Sequence, residues 1–420
     1  MLNRKSAPQF AAIEKFQLPR PEVINLNNGV PLIQFDKVNQ EVLRIELIFK
    51  SGKWFETKKG VSYFTAHLLD KGTSDKNSLQ IAETFDLYGS SVEINPGFDF
   101  TSLSLYALSK NINKVFPLFC EIALSPAFPD SEFTLLKDIF KQNLKINKEK
   151  SSYLAGKIIR QNIFGENHPY GNSVDENEVD DLTQSDLINF FKRRFRLHEV
   201  YVTGSLSDSA KIMLTDSLSE FGVISERDAD LNFGEVQRST SQHIEKSDSV
   251  QSSLRLGKRI INRADPEYAS LVLLNHILGG YFGSRLMKNI REEKGLTYGI
   301  HSSISTLKND AFFLIGTDVN KENRELALSE IKSEIRRLRK NPIEPEELET
   351  AKNHLLGSLQ LETANPFSVV EKIKAIRLNQ LNSDFYSSLF NSIRSADSIV
   401  MNRIAQLHLN EDSLFEVSVG

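Results

Sequence analysis

The sequence predicts an α+β fold built from two related halves, each a sheet flanked by helices. The chain has 420 residues, which is too long for one ordinary hydrophobic core and indicates two domains of roughly 200 residues each. Strand-like and helix-like patterns follow each other in groups along the chain. A segment that begins at Phe128 also recurs at Ile343, a shift of 215 residues, which is about half the chain.

The N-terminal part of the chain begins with strands and continues through helices. The Asn28-Gly29 pair between two apolar runs predicts a hairpin turn with a strand on either side. Residues 42–49 show the two-residue period of a half-buried strand. Apolar periods and Pro-containing turns define the elements that follow. The predicted ranges are helices over 62–69, 78–87, 112–124 and 131–148, and strands over 92–95 and 101–107.

A polar stretch separates the two halves. Residues 225–241 are rich in Ser, Asp and Glu and show only weak periodicity, which is typical of a connection between domains. We therefore predict a first domain over residues 1–225, a linker over 226–241 and a second domain over 242–420. In both copies of the repeat an apolar helix ends in a Pro-containing turn and a long helix follows an acidic cap, in agreement with this boundary.

The composition is that of a folded globular protein without a strong net charge. Hydrophobic residues make up 40% of the chain and charged residues 25%, and the formal net charge is -4, so no basic field attracts nucleic acid or acidic lipid. Cys120 is the one cysteine, which excludes an internal disulfide and a Cys-rich metal site. The N-terminal residues lack a secretory signal, and no segment has the ~20 apolar residues of a transmembrane helix. These features predict a cytoplasmic protein whose partners include neither nucleic acid nor a membrane.

Common catalytic motifs are missing from the chain. It has no G-x-x-x-x-G-K-[ST] loop for phosphate, no G-x-G-x-x-G for a dinucleotide, no G-x-S-x-G elbow and no H-E-x-x-H helix. None of its eight histidines lies three or four residues from another, which is the spacing that places two imidazoles on one helical face for a metal. The sequence therefore contains no local zinc motif.

The segment Gly60–Thr73 nevertheless resembles the active-site helix of the pitrilysin or insulinase-like (M16) zinc peptidases. The family pattern is H-x-x-E-H followed by an apolar pair and K-G-T, in which the histidines bind zinc and the glutamate deprotonates the metal-bound water. Here Tyr63 replaces the first histidine, Ala66 replaces the glutamate, and only His67 remains. The resemblance also places Asn143 where the family takes its third ligand from a glutamate. Because one ligand of three cannot hold zinc at useful affinity, we expect this chain to bind no metal and to hydrolyse no peptide alone.

Other parts of the first half also look like the family. The His168-Pro169-Tyr170-Gly171 stretch resembles a Gly-x-x-His-Pro-Tyr-Gly segment of M16 members. We interpret His168 as structural, because the proline after it fixes the backbone of a turn. Thr183 and Asp186 have the spacing of a capping box and predict that a helix begins there.

The most specific resemblance lies in the second half. Residues 274–286 and 289–299 are similar, nearly residue for residue, to the C-terminal domain of the M16 family. In that family an arginine and a tyrosine seven residues later point into the zinc site and bind the substrate backbone and the scissile carbonyl oxygen. Arg291 and Tyr298 occupy these positions, and we predict that they are the catalytic residues of this chain. The resemblance and the glycines, which permit close approach of a peptide or another backbone, predict a substrate-binding loop of Gly279, Gly280, Tyr281, Phe282 and Gly283.

The chemistry of the pair is consistent with this role. A carbonyl attacked by zinc-bound hydroxide becomes an oxyanion, and a guanidinium and a phenolic hydroxyl are fixed, strong donors toward it. One such donor contributes about 2.7–4 kcal/mol in well-studied hydrolases. The alternative interpretation is a helix-connecting turn in which Arg291 forms a surface ion pair and Tyr298 packs in the core.

A chain with these departures looks like one subunit of a heterodimeric M16 peptidase, the arrangement also seen in mitochondrial processing peptidase. The resemblance covers residues 20–415 and implies two homologous domains with mainly antiparallel sheets, which form half of a clam-shell chamber. It implies a zinc-bearing homologue as partner, zinc in that partner alone, and a peptide or unfolded polypeptide as substrate. Two alternatives remain open: a structural or scaffold homologue in which Arg291 and Tyr298 are remnants, and a homodimeric module that binds peptides without cutting them.

Overall fold

The computed structural model describes residues 15–36, 41–223 and 241–420. These residues form an α+β molecule with two sheets, and helices cover both faces of each sheet. Residues 226–240 of the predicted linker lie outside the described residues, and Ser241, the last linker residue in the prediction, begins a strand.

Eleven strands in the described ranges build the two sheets. They are β1 (Glu22–Asn25), β2 (Pro31–Phe35), β3 (Val42–Phe49), β4 (Ser91–Pro96), β5 (Thr101–Leu108), β6 (Leu197–Thr203), β7 (Ser241–Ile244), β8 (Gln251–Arg259), β9 (Ile300–Thr306), β10 (Ala311–Asn320) and β11 (Phe415–Val419). The first sheet has the order β1-β2-β6-β3-β5-β4 and the second the order β7-β11-β8-β10-β9.

The two sheets share one topology. In the first sheet β2 pairs parallel with β6, and β6, β3, β5 and β4 then pair antiparallel. In the second sheet β7 pairs parallel with β11, and β11, β8, β10 and β9 then pair antiparallel. Among the described strands, only β1 lacks a counterpart in the other sheet. The prediction of two homologous halves with mainly antiparallel sheets is therefore confirmed.

Fourteen α-helices in the described ranges surround the sheets. They are α1 (Val61–His67), α2 (Ser78–Leu87), α3 (Ile112–Leu124), α4 (Asp130–Lys148), α5 (Ser151–Phe164), α6 (Glu176–Asp180), α7 (Gln184–Arg194), α8 (Asp208–Ser219), α9 (Tyr268–Asn275), α10 (Arg324–Lys340), α11 (Pro345–Glu362), α12 (Pro366–Leu378), α13 (Phe385–Ser395) and α14 (Ser398–His408). Short 3₁₀ turns span Lys53–Phe55, Ser109–Asn111, Lys321–Asn323 and Glu411–Ser413, and π-helical turns span His276–Gly280 and Met287–Glu293. No helix in the described ranges combines the length and the apolar composition that crossing a bilayer requires.

The helices reproduce the internal repeat. Helices α4 and α11 begin at Asp130 and Pro345, 215 residues apart, and α5 and α12 begin 215 residues apart as well. Helix α1 is shorter than predicted, because it ends at His67 rather than at residue 69. The N–H groups of Leu68 and Leu69 both bond to the Ala66 carbonyl, which tightens the last turn and ends the helix.

Each half has its own hydrophobic core, and each also covers the sheet of the other half. The first core lies between the first sheet and α1, α2, α3, α7 and α8, and the second lies between the second sheet and α9, α10, α11, α13 and α14. Helix α5 of the first half packs its Ile159 and Ile163 against Val417 and Val419 of the second sheet. Helix α12 packs Val369, Val370 and Ile373 against the outer face of the first sheet. This exchange fixes the two halves relative to each other.

The residues before β1 add a further connection. Phe16 is only 4% exposed and belongs to the second core, where its ring lies 5.8 Å from that of Phe390. The Ser387 hydroxyl donates a hydrogen bond of 3.0 Å to the Phe16 carbonyl. The described chain therefore contacts the second core at Phe16 before it enters the first sheet through β1.

Candidate functional site

Helix α1 places the residues of the degenerate zinc motif. It begins after Gly60, whose φ of 87° is a left-handed conformation that favours glycine. The Ser62 backbone N–H and hydroxyl both donate to Oε1 of Glu56, at 3.1 and 2.6 Å, which satisfies one of the free N–H groups of the first turn. Phe64 and Ala66 are completely buried in the first core.

Tyr63 and His67 lie one turn apart on the other side of α1, and both are half-buried. Their ring centroids are 4.2 Å apart. Burial lowers the pKa of His67 because it removes water from the imidazolium form, and the Asp70 carboxylate opposes this effect. Burial also raises the pKa of the Tyr63 hydroxyl. Both side chains are therefore neutral at neutral pH, and the tyrosine ring contacts the remaining histidine in a tilted arrangement.

Helix α4 approaches α1 through aromatic rings. The Phe140 ring lies 5.2 Å from both the Tyr63 and the Phe64 rings, and Phe133 lies 5.9 Å from Phe64. Asn143 follows Phe140 by about one turn, and its side chain is exposed. The helix that carries the third ligand position is thus held against α1 by apolar packing.

The residues present at these positions do not fit a zinc ion. Protein zinc sites take three or four ligands from Cys, His, Asp and Glu. Here His67 supplies one imidazole, Ala66 supplies no donor, and Tyr63 and Asn143 supply a neutral phenol and an amide. Across residues 15–36, 41–223 and 241–420, no group of three or more His, Cys, Asp or Glu side chains could hold a metal ion.

The glycine segment of the second half follows an irregular helical turn. Gly279 and Gly280 end the π-helical turn His276–Gly280, in which Gly279 already has a non-helical backbone (φ -157°, ψ 17°), and the chain continues through the extended Tyr281. A Cβ on Gly279 would come within 2.7 Å of the Ser302 backbone nitrogen, because strand β9 passes directly against it. A Cβ on Gly283 would come within 2.8 Å of the Tyr281 ring. The backbone contact at Gly279 therefore requires glycine, whereas the neighbour of Gly283 is a side chain.

Three rings stack beneath this segment. His276 is 7% exposed, and its ring lies parallel to that of Tyr281 at 4.5 Å. Its Nε2 atom lies 3.0 Å from Nδ1 of His354 on α11, whose ring is also 4.8 Å from Tyr281. Burial lowers the pKa of His276 to about 4, and the neighbouring His354 acts in the same direction. The stack connects the glycine segment to α11.

Arg291 and Phe282 form a direct contact. The Arg291 guanidinium carbon lies 4.7 Å from the centroid of the Phe282 ring, within the range of a cation–π interaction. Phe282 is 61% exposed, and Arg291 lies in the π-helical turn Met287–Glu293 with an intermediate exposure. The structure therefore brings together one predicted catalytic residue and one predicted binding residue at the surface.

Tyr298 projects into solvent from a fixed backbone. Its side chain is 94% exposed, which excludes the alternative interpretation that it packs in the core. Thr297 donates a hydrogen bond of 2.8 Å to the Asp318 carbonyl, and the Gly299 carbonyl accepts one of 3.0 Å from the Thr317 hydroxyl. The residues on both sides of Tyr298 are thus attached to β10, and the phenol is free to contact another molecule.

The two sets of predicted residues do not meet. In the described parts of the chain, no ring contact or hydrogen bond joins Tyr63, Ala66, His67 or Asn143 to Arg291 or Tyr298. The sequence did not indicate His354, because it lies 78 residues from His276 and has no local motif.

His168 is buried and its Nδ1 accepts a hydrogen bond from the Tyr170 N–H, as expected for a structural residue in a turn.

Two family models match adjacent stretches of the chain. Residues 34–174 match the insulinase family, peptidase family M16. Residues 181–355 match the model described as the peptidase M16 inactive domain.

Bacterial relatives align along nearly the whole chain. The Bacillus subtilis protein named uncharacterized zinc protease YmxG is 24% identical over 392 residues, which cover 90% of this chain and 92% of the relative. The Helicobacter pylori protein named non-peptidase homolog YmxG is 23% identical over 381 residues, which cover 87% of this chain and 84% of the relative.

Solved structures share the fold. A Pseudomonas fluorescens protein described as a peptidase M16 inactive domain superposes with a TM-score of 0.85 at 25% identity, covering 95% of this chain and 98% of its own. A protease from Helicobacter pylori also has a TM-score of 0.85, at 16% identity, and covers 96% of this chain and 100% of its own. At that identity the second likeness concerns the fold alone.

Proposed function

Because the chain belongs to the M16 (insulinase) peptidase family, we propose that it is the non-metal subunit of a heterodimeric M16 peptidase. It has no hydrolytic activity alone. It binds peptide substrate and donates Arg291 and Tyr298 to the zinc site of a metal-bearing homologue, which supplies both the metal and the general base. The cytoplasmic location stays a prediction.

The donor set at α1 is the observation that carries the proposal. A zinc peptidase needs three ligands and a base, and only His67 of this set is present in the chain. The words "inactive domain" and "non-peptidase homolog" in the descriptions of two relatives are consistent with a chain that does not cleave peptides by itself.

The exposure of the second-half residues supports a role toward another molecule. Tyr298 is 94% exposed, and Arg291 is held on the face of an exposed Phe282 ring. A phenol and a guanidinium so placed can donate to a carbonyl oxygen as negative charge develops on it. Tyr298 packs against no core, and among the described residues Arg291 contacts the Phe282 ring but forms no ion pair, so the polar groups of both remain available to another molecule.

A second candidate function is a homologue that binds peptides or serves as a structural subunit without hydrolysis. The exposed Tyr298 and the contact of Arg291 with the exposed Phe282 ring offer aromatic and cationic groups to a peptide, and peptide binding by these groups needs no zinc. This candidate predicts peptide binding by the chain with no hydrolysis in any mixture.

Co-expression with a zinc-bearing homologue tests the proposal. We expect peptide hydrolysis by the complex, and we expect Arg291→Ala and Tyr298→Phe each to lower kcat by about 10²–10³-fold, the effect of removing one oxyanion donor. Lys288→Ala is the matched control, because Lys288 is an exposed cation one helical turn away and has no predicted contact with substrate. Hydrolysis that is insensitive to both Arg291 and Tyr298, or no hydrolysis in the mixture, would overturn the proposal.

A further inference from the structure

A cavity in the first half lies outside the residues described above. It has a volume of about 380 Å³ and opens between the α3–α4 connection and the end of α7. The rings of Phe128, Phe191, Phe195 and Phe221 line it, and Lys192 and Arg196 stand beside them. Small-molecule sites in proteins begin at about this size.

The apolar part of the cavity is pre-formed. Phe128, Phe195 and Phe221 are 2%, 6% and 3% exposed, and the Phe191 ring packs against Phe128 at 5.4 Å and against Phe195 at 5.3 Å. Phe128 has a φ of 50°, which is rare for a residue with a side chain, and its carbonyl accepts a 2.7 Å bond from Gln184. These contacts fix the positions of the rings, so ligand binding does not have to restrict their conformations.

The two cations at the edge of the cavity have defined positions. Lys192 lies in the last turn of α7, and Arg196 follows four residues later. A Cβ on Gly222 would come within 2.4 Å of Nη1 of Arg196, so the guanidinium lies directly over the Gly222 backbone and a larger residue there would displace it. Among the described residues, neither Lys192 nor Arg196 forms an ion pair with a carboxylate. Two such cations at the edge of an apolar cavity are complementary to an anion with an apolar body.

We propose that this cavity binds a small apolar monocarboxylate. The apolar body lies over Phe191 and the exposed edges of the other three phenylalanine rings, and the carboxylate pairs with Arg196 and Lys192. The proposed occupant is a small molecule, because the volume of about 380 Å³ lies at the lower end of the range of small-molecule sites. The site is independent of the proposed peptidase function.

Binding of octanoate to the full chain, measured by isothermal titration calorimetry, tests the site. We expect saturable binding at one site, and we expect uncharged octanol and cationic octylamine to bind at least about tenfold more weakly, because they lack the negative charge that the cations recognise.

The substitution Ala127→Trp tests whether the ligand occupies the cavity. Ala127 is an exposed lining residue, so a larger side chain there need not enter the core, and we expect it to cover part of the opening and to weaken octanoate binding while both cations remain.

Variants that remove single positive charges show whether octanoate pairs with Arg196 and Lys192 or is attracted only by the net charge of the helix. We expect Arg196→Gln to weaken octanoate binding about tenfold or more and Lys192→Gln to weaken it by a smaller factor. Arg193→Gln is the control, because Arg193 is exposed on the same helix but does not line the cavity, and we expect less than about a twofold change. Thermal melting of each variant shows whether it is folded. No saturable binding, equal effects of Arg193→Gln and Arg196→Gln, or undiminished binding by folded Ala127→Trp would overturn the proposal.

Discussion

His276 shows how burial sets the charge of a single residue in this protein. Its ring is stacked on Tyr281, its Nε2 faces Nδ1 of His354, and its pKa is lowered to about 4 because burial disfavours the imidazolium. A histidine in the unfolded chain has a pKa near 6.5. The folded protein therefore binds fewer protons than the unfolded chain between these two values, and acid must weaken the fold.

His276→Phe keeps a ring in the stack and removes the titrating group. Because the folded pKa is depressed, the contribution of His276 to stability is present above pH 6.5 and is lost as the pH falls toward 4. We expect the unmodified protein to lose roughly 1–2 kcal/mol more unfolding free energy than the variant between pH 6.5 and 4.5, measured by urea unfolding at each pH. His168, whose pKa is also lowered to about 4, contributes to both proteins alike. Equal losses in the two proteins would contradict this account of His276.

We expect a glycine-to-alanine substitution to have opposite effects on stability at Gly279 and at Gly357. The Cβ of Gly279→Ala would meet the Ser302 backbone at 2.7 Å and must displace β9, so we expect a loss of about 1–3 kcal/mol of unfolding free energy. Gly357 lies inside α11, and a Cβ there meets nothing within 4 Å. Gly357→Ala should therefore stabilise the protein by about 0.5–1 kcal/mol. Denaturant unfolding measures both, and a stabilised Gly279→Ala protein would disprove the close approach of β9.

The exposure of single residues could not be predicted from the sequence. Tyr298 and Phe64 both lie near apolar residues, yet Tyr298 is 94% exposed and Phe64 is completely buried. The family resemblance identified Arg291 and Tyr298, but the contact between Arg291 and Phe282 depends on how the chain turns between them. The contact between His276 and His354 depends on tertiary packing, which no local pattern records.

At the scale of elements, prediction succeeded where start and stop signals were strong. Helix α3 spans Ile112–Leu124 as predicted, because proline-containing and polar turns bound it. Helix α4 begins at Asp130, one residue before the prediction, and Thr183 and Asp186 form the predicted capping box. The π-helical turn His276–Gly280 was not predicted, because an apolar period does not distinguish a π-helical turn from an α-helical one.

The irregular segment before β1 contributes to the stability of the second half. Phe16 is buried in the second core against Phe390, so Phe16→Ala should remove about 2–4 kcal/mol of unfolding free energy. Ile399→Ala is the control, because Ile399 is also in the second half and is 79% exposed, and its effect should be below ~0.5 kcal/mol. Chemical denaturation distinguishes them, and similar small effects would mean that Phe16 is not anchored in the second core.

Because of the exchange of helices, we expect the whole molecule to unfold as one cooperative unit. Because α5 covers the second sheet and α12 covers the first, neither half can unfold without exposing the sheet of the other. The two-half architecture could be predicted from the 215-residue repeat. Which sheet α5 and α12 cover could not, because an amphipathic pattern does not specify the partner surface.

The fluorescence of Trp54, the single tryptophan, can be used to follow this unfolding. Its ring lies 4.9 Å from that of Tyr170, in the cluster that contains α5. We expect its fluorescence to change at the same denaturant concentration as the far-ultraviolet circular dichroism of the whole chain. Two separated transitions would show that the halves unfold independently.

The most direct test of a metal-free subunit is the zinc content of the purified chain, measured together with its peptide hydrolysis alone and in complex with a zinc-bearing homologue. We expect well below one zinc per chain, no hydrolysis by the chain alone, and hydrolysis by the complex that depends on Arg291 and Tyr298. Zinc at about one equivalent, together with hydrolysis by the chain alone that is lost in His67→Ala, would contradict this expectation.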